Sequence, residues 1–335
     1  MKLIAETAWH HEGNFLFMKD LVSEIVSKSN ADIVKMHITI DFDEYMDSKH
    51  ELYEKLKPML FNKNQWHELI SIVKDSGKEL MLLPNDSQAI EFVSKYKPEY
   101  IELHSVWLNV PNLQNKILKE FNTETKIVIG VGGCTLEEID KVVKFFEKRK
   151  TIIMFGFQNY PTKYEDVNIS KIRKIQSLFP NHQYGYADHT GWNEPNNELI
   201  TLLVASNNMS FVEKHVTNFF GHDRIDFSAA ISFEMFNSLS NKIKLLNQIS
   251  GNGLTELNEG EKSYSQYGPM KMAAISNSDL KEGHIFSIND VSFKRFNEKT
   301  DLSQVDILNL FGKSLMKNIS KNEIFKSIHF NKNIK

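Results

Sequence analysis

The chain has 335 residues, of which 41% are hydrophobic and 25% charged, and this composition is typical of a soluble globular protein with a sizeable core. Forty basic and 43 acidic residues give a formal charge of −3, which excludes a bulk electrostatic attraction to nucleic acid or to a membrane surface. The single cysteine, Cys134, excludes an intramolecular disulfide. The sequence also shows no signal-peptide core and no apolar run of about 18 residues, and together these features predict a cytoplasmic protein.

Eight short apolar runs, each bounded by polar turns, predict eight β-strands. The runs cover residues 2–7, 32–40, 79–84, 100–104, 126–132, 151–157, 183–189 and 210–217. Segments with helical spacing lie between them, and Thr135 and Asn168 are placed as N-caps. This alternation predicts a parallel sheet, and eight such units close into a (β/α)8 TIM barrel. An open doubly wound sheet is the alternative, but the Gly cluster at 130–133 lacks the G-x-G-x-x-G spacing.

The pattern changes after the barrel. Residues 1–248 form the predicted barrel domain, and the polar, Gly-rich stretch 249–265 is a predicted linker. Residues 266–335 contain short strands, turns and a helix-like segment, and they predict a small β-rich domain. Beside a barrel, such a module is expected to bind a ligand or to lend a residue to a neighbouring site.

Polar residues that can carry chemistry are concentrated where the predicted strands end. The active site of a TIM barrel lies at the C-terminal ends of its strands. The residues near these ends are Glu6, Lys35, His37, Asp188, His189, Glu213 and His215, and the loop after the sixth strand adds Gln158, Asn159 and Tyr160. The sequence therefore predicts a polar site at this end of the barrel.

His189 and His215 come from neighbouring strands, so their imidazoles could converge on one divalent cation and leave positions for substrate oxygen and water. Manganese, iron and zinc all suit such ligands. The alternative is that each histidine donates a hydrogen bond to a backbone carbonyl at the rim. Lys35 lies between apolar neighbours and is predicted to point inward, either to bind a carboxylate or to form a Schiff base with a carbonyl.

Several motifs in order along the chain resemble the sialic acid synthase family. They are IAETAWHHEGNF, ADIVKMHI, TLEEID, NYPTKYEDVNI, YGYADHTGW and FVEKHVTN. Members of that family condense phosphoenolpyruvate with an N-acylated aldose to form nine-carbon 2-keto acids. The similarity extends over nearly the whole chain, and the C-terminal segment resembles that family's antifreeze-protein-like (SAF) domain.

The resemblance implies roles for individual residues. His189 and His215 would hold the metal, Mn2+ first and Mg2+, Co2+ or Zn2+ as alternatives, while Glu6, Lys35 and Glu213 would be catalytic. Substrate contacts are predicted for His37, Ser105, Gln158, Tyr160, Asp188, Asp223 and Arg295. Arg295 would extend into the site of a partner subunit, which implies a domain-swapped, head-to-tail homodimer.

The departures from the family fall around its phosphate site. In strand four the family's lysine and glutamate become Glu102 and Trp107, and its serine in strand seven becomes Ala187. Its hydroxyl residues become Leu82 and Leu83 in strand three and Gly130 and Val131 in strand five. Each lost donor to a charged group costs roughly 1.5 to 3 kcal/mol, and an inward glutamate adds repulsion. The predicted affinity for a phosphate is therefore low.

Three functions compete at this stage. The first is a metal-dependent enzyme that condenses phosphoenolpyruvate with an N-acylated hexose in nonulosonic acid biosynthesis. The second keeps the metal but uses a phosphate-free donor such as pyruvate, or runs as a lyase on a 2-keto sugar acid. The third is a non-catalytic sugar-binding relative. In all three the partners are small molecules and a second copy of the chain, with no nucleic acid and no membrane.

Overall fold

The computed structural model describes residues 1–156 and 159–330. Eight parallel strands close into a barrel in chain order, with β1 paired to both β2 and β8. The strands are β1 (Lys2–Glu6), β2 (Ile33–Ile38), β3 (Glu79–Pro84), β4 (Tyr100–Leu103), β5 (Lys126–Gly130), β6 (Thr151–Gly156), β7 (Gln183–Asp188) and β8 (Phe211–His215). All eight predicted strands are present, and the TIM barrel is confirmed.

Helices follow the strands and cover the outside of the barrel. Within the barrel unit they are α1 (Phe15–Lys28), α2 (Phe42–Tyr45), α3 (Tyr53–Leu56), α4 (Lys63–Asp75), α5 (Ser87–Ser94), α6 (Pro111–Glu120), α7 (Leu136–Phe145), α8 (Tyr164–Val167), α9 (Ile169–Leu178), α10 (Asn197–Ala205) and α11 (Phe233–Ser250). Short 3-10 turns lie at Lys57–Met59, Ser105–Trp107 and Phe227–Ala229. Thr135 caps α7 in a capping box with Glu138, and Asn168 caps α9, as predicted.

Two apolar layers explain why the strands are hydrophobic on both faces. One cluster fills the inside of the barrel and includes Ile4, Tyr100, Val128 and Phe211. A larger cluster lies outside, between the strands and the helices. Burial of both strand faces is the expected pattern for a parallel sheet covered by crossover helices.

The chain divides into two compact units, Met1–Gly251 and Asn252–Lys335, and the division falls within the predicted linker. The second unit contains α12 (Glu259–Tyr264), β9 (Ala273–Ser276), β10 (Val291–Lys294) and α13 (Gln304–Leu310), with 3-10 turns at Ile288–Asp290 and Ser327–His329. β9 and β10 form an antiparallel pair. Phe286 and Phe325 are fully buried in a separate small core. A small C-terminal β-sheet is therefore present, and its likeness to an antifreeze-protein domain stays a prediction.

Strand alternation places the polar residues of the first unit. Successive strand side chains point to opposite faces, so every second residue points into the barrel. On β4 the inner apolar residue Tyr100 is followed by Glu102, and on β8 Phe211 is followed by Glu213. Within residues 1–156 and 159–330, no helix combines the length and the apolar character needed to cross a membrane.

Candidate active site

A cavity of about 330 Å³ opens at the C-terminal ends of the barrel strands. Its volume falls at the lower end of the range for small-molecule sites. The described residues that line it are Glu6, Trp9, Lys35, His37, Tyr45, Asn85, Glu102, His104, Ser105, Gly130, Gly132, Met154, Phe155, Gly156, Tyr160, Ala187, His189, Glu213, His215 and Asp226. The cavity thus collects side chains from all parts of the barrel, in the position expected for an active site.

Lys35 stands at the centre of a buried charge cluster. Its Nζ lies 2.9 Å from Glu6 Oε2, 2.8 Å from Glu102 Oε2 and 2.9 Å from Glu213 Oε1. An ammonium group carries three hydrogens, so three carboxylates can engage all of them. A substrate anion that approaches Lys35 would have to displace one of these carboxylates. The expected contact between Lys35 and a donor carboxylate therefore has no open position in this arrangement.

The cluster also decides the protonation of its members. Burial alone would lower the pKa of Lys35, but the charges of Glu102, Glu213 and Glu6 outweigh it and hold that pKa well above its ordinary value. Lys35 is thus a permanent ammonium, and a Schiff base requires the free amine. This environment argues against Schiff-base chemistry at Lys35.

Glu6 and Glu213 form a hydrogen-bonded acid–carboxylate pair. Burial would raise the pKa of Glu6, yet Lys35 and His37 hold it well below its usual range. Burial raises the pKa of Glu213 well above its usual range, against the attraction of Lys35, and the charge of Glu6 adds to the increase. Two carboxyl groups whose pKa values are driven apart are suited to act as a base and an acid at one pH. Of the two groups, Glu213 holds a proton more tightly and Glu6 is the one that favours the ionised form.

His189 and His215 meet beside this pair. Their ring centroids are 4.7 Å apart with the ring planes nearly perpendicular, and His215 Nε2 lies 3.9 Å from Glu6 Oε1. Burial lowers the pKa of His189 to about 4 and that of His215 well below its ordinary value. Both imidazoles are therefore neutral at physiological pH, the form in which histidine binds metals.

These two histidines fit a divalent cation as a pair of nitrogen ligands. Within the described residues no group of three or more His, Cys, Asp or Glu side chains is arranged to hold a metal ion. A cation bound by His189 and His215 would therefore take its other ligands from substrate or water. That donor set leaves open positions, which is the pattern of a catalytic rather than a structural site.

Three loops, which follow β1, β6 and β8, meet beside the histidines. Trp9, after β1, donates its backbone N–H to Asp226 Oδ2 at 3.0 Å, and Tyr160 donates its hydroxyl to the backbone carbonyl of Asp226. Asp226 has a left-handed φ of +64°, which a non-glycine residue adopts at some energetic cost. Burial raises the pKa of Asp226, partly offset by the hydrogen bond from Trp9. These contacts hold an aspartate and two aromatic rings at the rim of the cavity.

Two of the predicted substrate-contacting residues lie elsewhere. Asp188 is buried on the outer face of β7, where it binds Thr190, Thr201 and Lys214, because strand alternation turns Ala187 and His189 inward. Asp223 is exposed and does not line the cavity. The aspartate that this loop supplies to the cavity is Asp226. Both predictions are corrected accordingly.

The remaining predicted residues have mixed outcomes. His37 and Ser105 line the cavity, and His37 Nε2 contacts Glu6 Oε1. Gln158 lies outside the described residues. Arg295 is in the second unit, where its guanidinium donates to the carbonyl of Pro269 at 2.9 and 2.6 Å. Its place in a partner's site, and the homodimer itself, stay predictions.

Three of the positions that depart from the family face the cavity, while Leu82 and Val131 lie in the outer core. Glu102, Gly130 and Ala187 line the cavity, and none of them offers a hydroxyl or a cationic group. Trp107 is instead buried in the outer core and is not part of the site. Glu102 points inward, which was left open from the sequence.

His104 was missed as a site residue. It lies two residues after Glu102 on the same inner face, so strand alternation could have identified it. Its Nδ1 accepts the backbone N–H of Val106 at 3.1 Å, and burial lowers its pKa to about 3. The ring pairs edge-on with His37 at 5.9 Å. His104 is therefore a neutral imidazole that packs against His37 in the cavity.

Comparisons with known proteins agree with this fold. A model of the NeuB family matches residues 24–255. An uncharacterized protein of Methanocaldococcus jannaschii is 26% identical over 296 residues, which cover 88% of this chain and 84% of that protein. The N,N'-diacetyllegionaminic acid synthase of Legionella pneumophila is 24% identical over 339 residues, which cover 95% of this chain and 91% of that protein.

Among solved structures, a spore coat polysaccharide biosynthesis protein E of Chromobacterium violaceum has a TM-score of 0.81 at 17% identity. The match covers 99% of this chain and 100% of that chain. At this level of identity the similarity shows a shared fold over the full length of both chains.

Proposed function

The chain belongs to the NeuB family, and from that premise we propose that it joins a three-carbon donor to the aldehyde of an N-acylated hexose to give a nine-carbon 2-keto sugar acid. One observation carries the proposal. Two neutral imidazoles, His189 and His215, lie beside an acid–carboxylate pair, Glu213 and Glu6, in a cavity at the C-terminal end of one barrel. The name of the Legionella relative supports a sugar-acid product.

In this proposal His189 and His215 hold a divalent cation, Mn2+ first, with Mg2+, Co2+ and Zn2+ as alternatives. A bound cation supplies Lewis-acid polarisation of a substrate carbonyl. The two histidines orient the reacting aldehyde toward Glu213 and Glu6, since His215 Nε2 lies only 3.9 Å from Glu6 Oε1.

Glu213 and Glu6 move the proton. As the donor carbon bonds to the aldehyde carbon, the aldehyde oxygen gains a proton from the carboxyl group of Glu213 and becomes a hydroxyl. Glu6 is the ionised partner and accepts a proton or orients water. Lys35 keeps Glu6 ionised through its charge, 2.9 Å from Glu6 Oε2. General acid–base catalysis of this kind contributes about 10²- to 10⁴-fold to a rate.

Substrate hydroxyl and amide groups meet polar side chains at the rim. His37, Ser105, Tyr160 and Asp226 line the cavity and supply donors and acceptors around the central cluster. Trp9 offers an aromatic surface beside them. These five residues are our candidates for recognition of the acylated sugar.

The donor distinguishes two versions of the reaction. With phosphoenolpyruvate, which the family resemblance implies, addition of water accompanies carbon–carbon bond formation and inorganic phosphate leaves. A second version uses pyruvate, which adds to the aldehyde with no leaving group. The specific observation that favours the second version is that Lys35, the one lysine or arginine among the described lining residues, is engaged by three carboxyl groups, which leaves no cation there for a phosphate.

Incubation of the purified chain with Mn2+, a panel of N-acetylated hexosamines and either donor tests the proposal. Phosphate release matched by 2-keto sugar acid supports the first version, and product from pyruvate alone supports the second. If sugars bind but neither donor reacts, the chain is a non-catalytic sugar-binding relative and the proposed reaction is wrong.

A further inference from the structure

Glu102 lies at one end of the cavity, in contact with Lys35. It lies on the inner face of β4 and is 4% exposed, and its Oε2 is 2.8 Å from Lys35 Nζ. Its Oε1 faces β5, since a Cβ placed on Gly130 would lie 3.3 Å from that atom. The carboxyl group of Glu102 therefore lies between the central ammonium group and the neighbouring strand β5.

Carboxyl groups outnumber cationic side chains at this end. Among the described lining residues, Lys35 is the one lysine or arginine, against the carboxyl groups of Glu6, Glu102, Glu213 and Asp226. Lys35 Nζ already has three carboxyl oxygens within 2.9 Å. An added dianion such as a phosphate would meet like charges away from water, which costs free energy.

The neighbouring walls do not compensate. Phosphate sites rely on cationic groups and several charge-assisted hydrogen bonds. Gly130 and Ala187 line the cavity without side-chain donors. A side chain added at Gly130 would meet Leu103 O at 3.1 Å as well as Glu102 Oε1, so a hydroxyl residue could not be accommodated there without a shift of Glu102. Glu102 thus restricts both the charge and the space at this end.

We propose that Glu102 determines the donor class: by engaging Lys35, it makes the cavity select a three-carbon 2-keto acid without a phosphate, such as pyruvate, and exclude phosphorylated donors. This inference rests on the proposed reaction for its meaning, although the binding preference can be measured without turnover. It assigns a specificity role to a residue that touches the central cluster but transfers no proton.

The reaction with pyruvate balances within the residues present. The methyl carbon of pyruvate loses a proton to the carboxylate of Glu6 and forms the new bond to the aldehyde carbon. The aldehyde oxygen takes the proton of Glu213. No group leaves and no further reactant is needed, and the pair returns to its starting state when the proton on Glu6 passes to Glu213.

The test is equilibrium binding of pyruvate, phosphoenolpyruvate and inorganic phosphate to the full chain by calorimetry, in the native protein and in Glu102→Gln. The native protein should bind pyruvate more tightly than either phosphorylated compound. Glu102→Gln keeps the shape but removes the charge, so affinity for both phosphorylated compounds should increase about tenfold or more, while pyruvate affinity changes much less. Glu91→Gln, which breaks an exposed pair with Lys116, is the matched control and should change nothing.

The outcomes separate this inference from the proposed reaction. If neither donor reacts with any sugar, but Glu102→Gln gains phosphate affinity, the reaction is wrong and the role of Glu102 stands. If the native protein releases phosphate from phosphoenolpyruvate and binds it better than pyruvate, the reaction stands and the role of Glu102 is overturned. The role of Glu102 is also overturned if the native protein and Glu102→Gln bind the anions equally, or if neither binds them. If the variant folds poorly, the preference of the native protein between pyruvate and the phosphorylated compounds still tests the inference.

Discussion

Asp188 and Lys214 form a fully buried ion pair across β7 and β8, with Lys214 Nζ 3.0 Å from the Asp188 carboxylate. The same carboxylate accepts the backbone N–H and the hydroxyl of Thr190, and Lys214 also donates to Asn197 at 2.8 Å. Each partner directly precedes a cavity histidine in the chain. From its position outside the barrel, the pair therefore fixes the register of β7 and β8 that brings His189 and His215 together.

Asp188→Asn should destabilise the barrel by about 3 to 5 kcal/mol, because it leaves the ammonium group of Lys214 buried without its counter-charge. All four tryptophans of the chain lie before residue 252, so tryptophan fluorescence during urea unfolding reports on the barrel unit. The matched control is Asp140→Asn, which breaks an exposed pair with Lys144 and should cost less than about 1 kcal/mol. Equal costs for both replacements would contradict the structural role of the buried pair.

His189→Ala and His215→Ala should each abolish binding of Mn2+, because each replacement leaves the ion with a single protein ligand. Titration of the purified chain with Mn2+ measures this directly. His67→Ala is the control, since His67 lies on the exposed side of α4. An unchanged titration in both cavity variants would show that the metal site is misplaced.

The barrel could be predicted from the sequence because most of its strands are short, mainly apolar runs bounded by polar turns. Because both faces of these strands are buried, the runs lack the alternation of apolar and polar residues that marks a half-exposed strand. The polar turns then set the limits of each strand within a residue or two. The start of a helix could be predicted where the sequence offers an N-cap, as Thr135 does for α7 and Asn168 for α9. Helix α6 has 10 residues like α7 but no side-chain cap, so the sequence does not mark its start in this way.

The site could be predicted only in part. Strand ends identified Glu6, Lys35, His189 and His215, but the convergence of three carboxylates on Lys35 depends on the stagger of the closed barrel, which no local pattern encodes. Alternation along β7 would have turned Asp188 outward, since His189 points inward. The choice between Asp223 and Asp226 could not be made from sequence, because both lie in an irregular loop.

Glu213→Gln should lower kcat by about 10²- to 10⁴-fold while changing KM little, because it removes the transferable proton but keeps the shape of the side chain. Steady-state kinetics of 2-keto sugar acid formation measure the effect. Glu198→Gln on α10, outside the cavity, is the control and should retain activity. Full activity in Glu213→Gln would remove Glu213 from the proposed chemistry.

Stability should fall as the pH is lowered from about 6.5, because burial, aided by the charges of His37 and Lys35, lowers the pKa of His104 to about 3. Between these values the unfolded chain binds a proton at this histidine that the folded chain does not, so protons favour unfolding. His104→Asn keeps an acceptor for the N–H of Val106 and should reduce the pH slope of the unfolding free energy by about 1.4 kcal/mol per pH unit. Urea unfolding at several pH values between 7 and 5 measures the slope, with exposed His50→Asn as the comparison. An unaltered slope in His104→Asn would contradict the prediction, because it would show that this imidazole carries a proton in the folded state as it does in the unfolded chain.

The central claim is that the cavity forms a carbon–carbon bond between a three-carbon donor and a sugar aldehyde. The most direct measurement is mass-spectrometric detection of a nine-carbon 2-keto sugar acid from N-acetylated hexosamines and 13C-labelled donor, with and without Mn2+. We predict labelled product that requires the metal and is lost in both His189→Ala and Glu213→Gln. Absence of product from the native chain with pyruvate and phosphoenolpyruvate alike, in the presence of metal and bound sugar, would contradict the account.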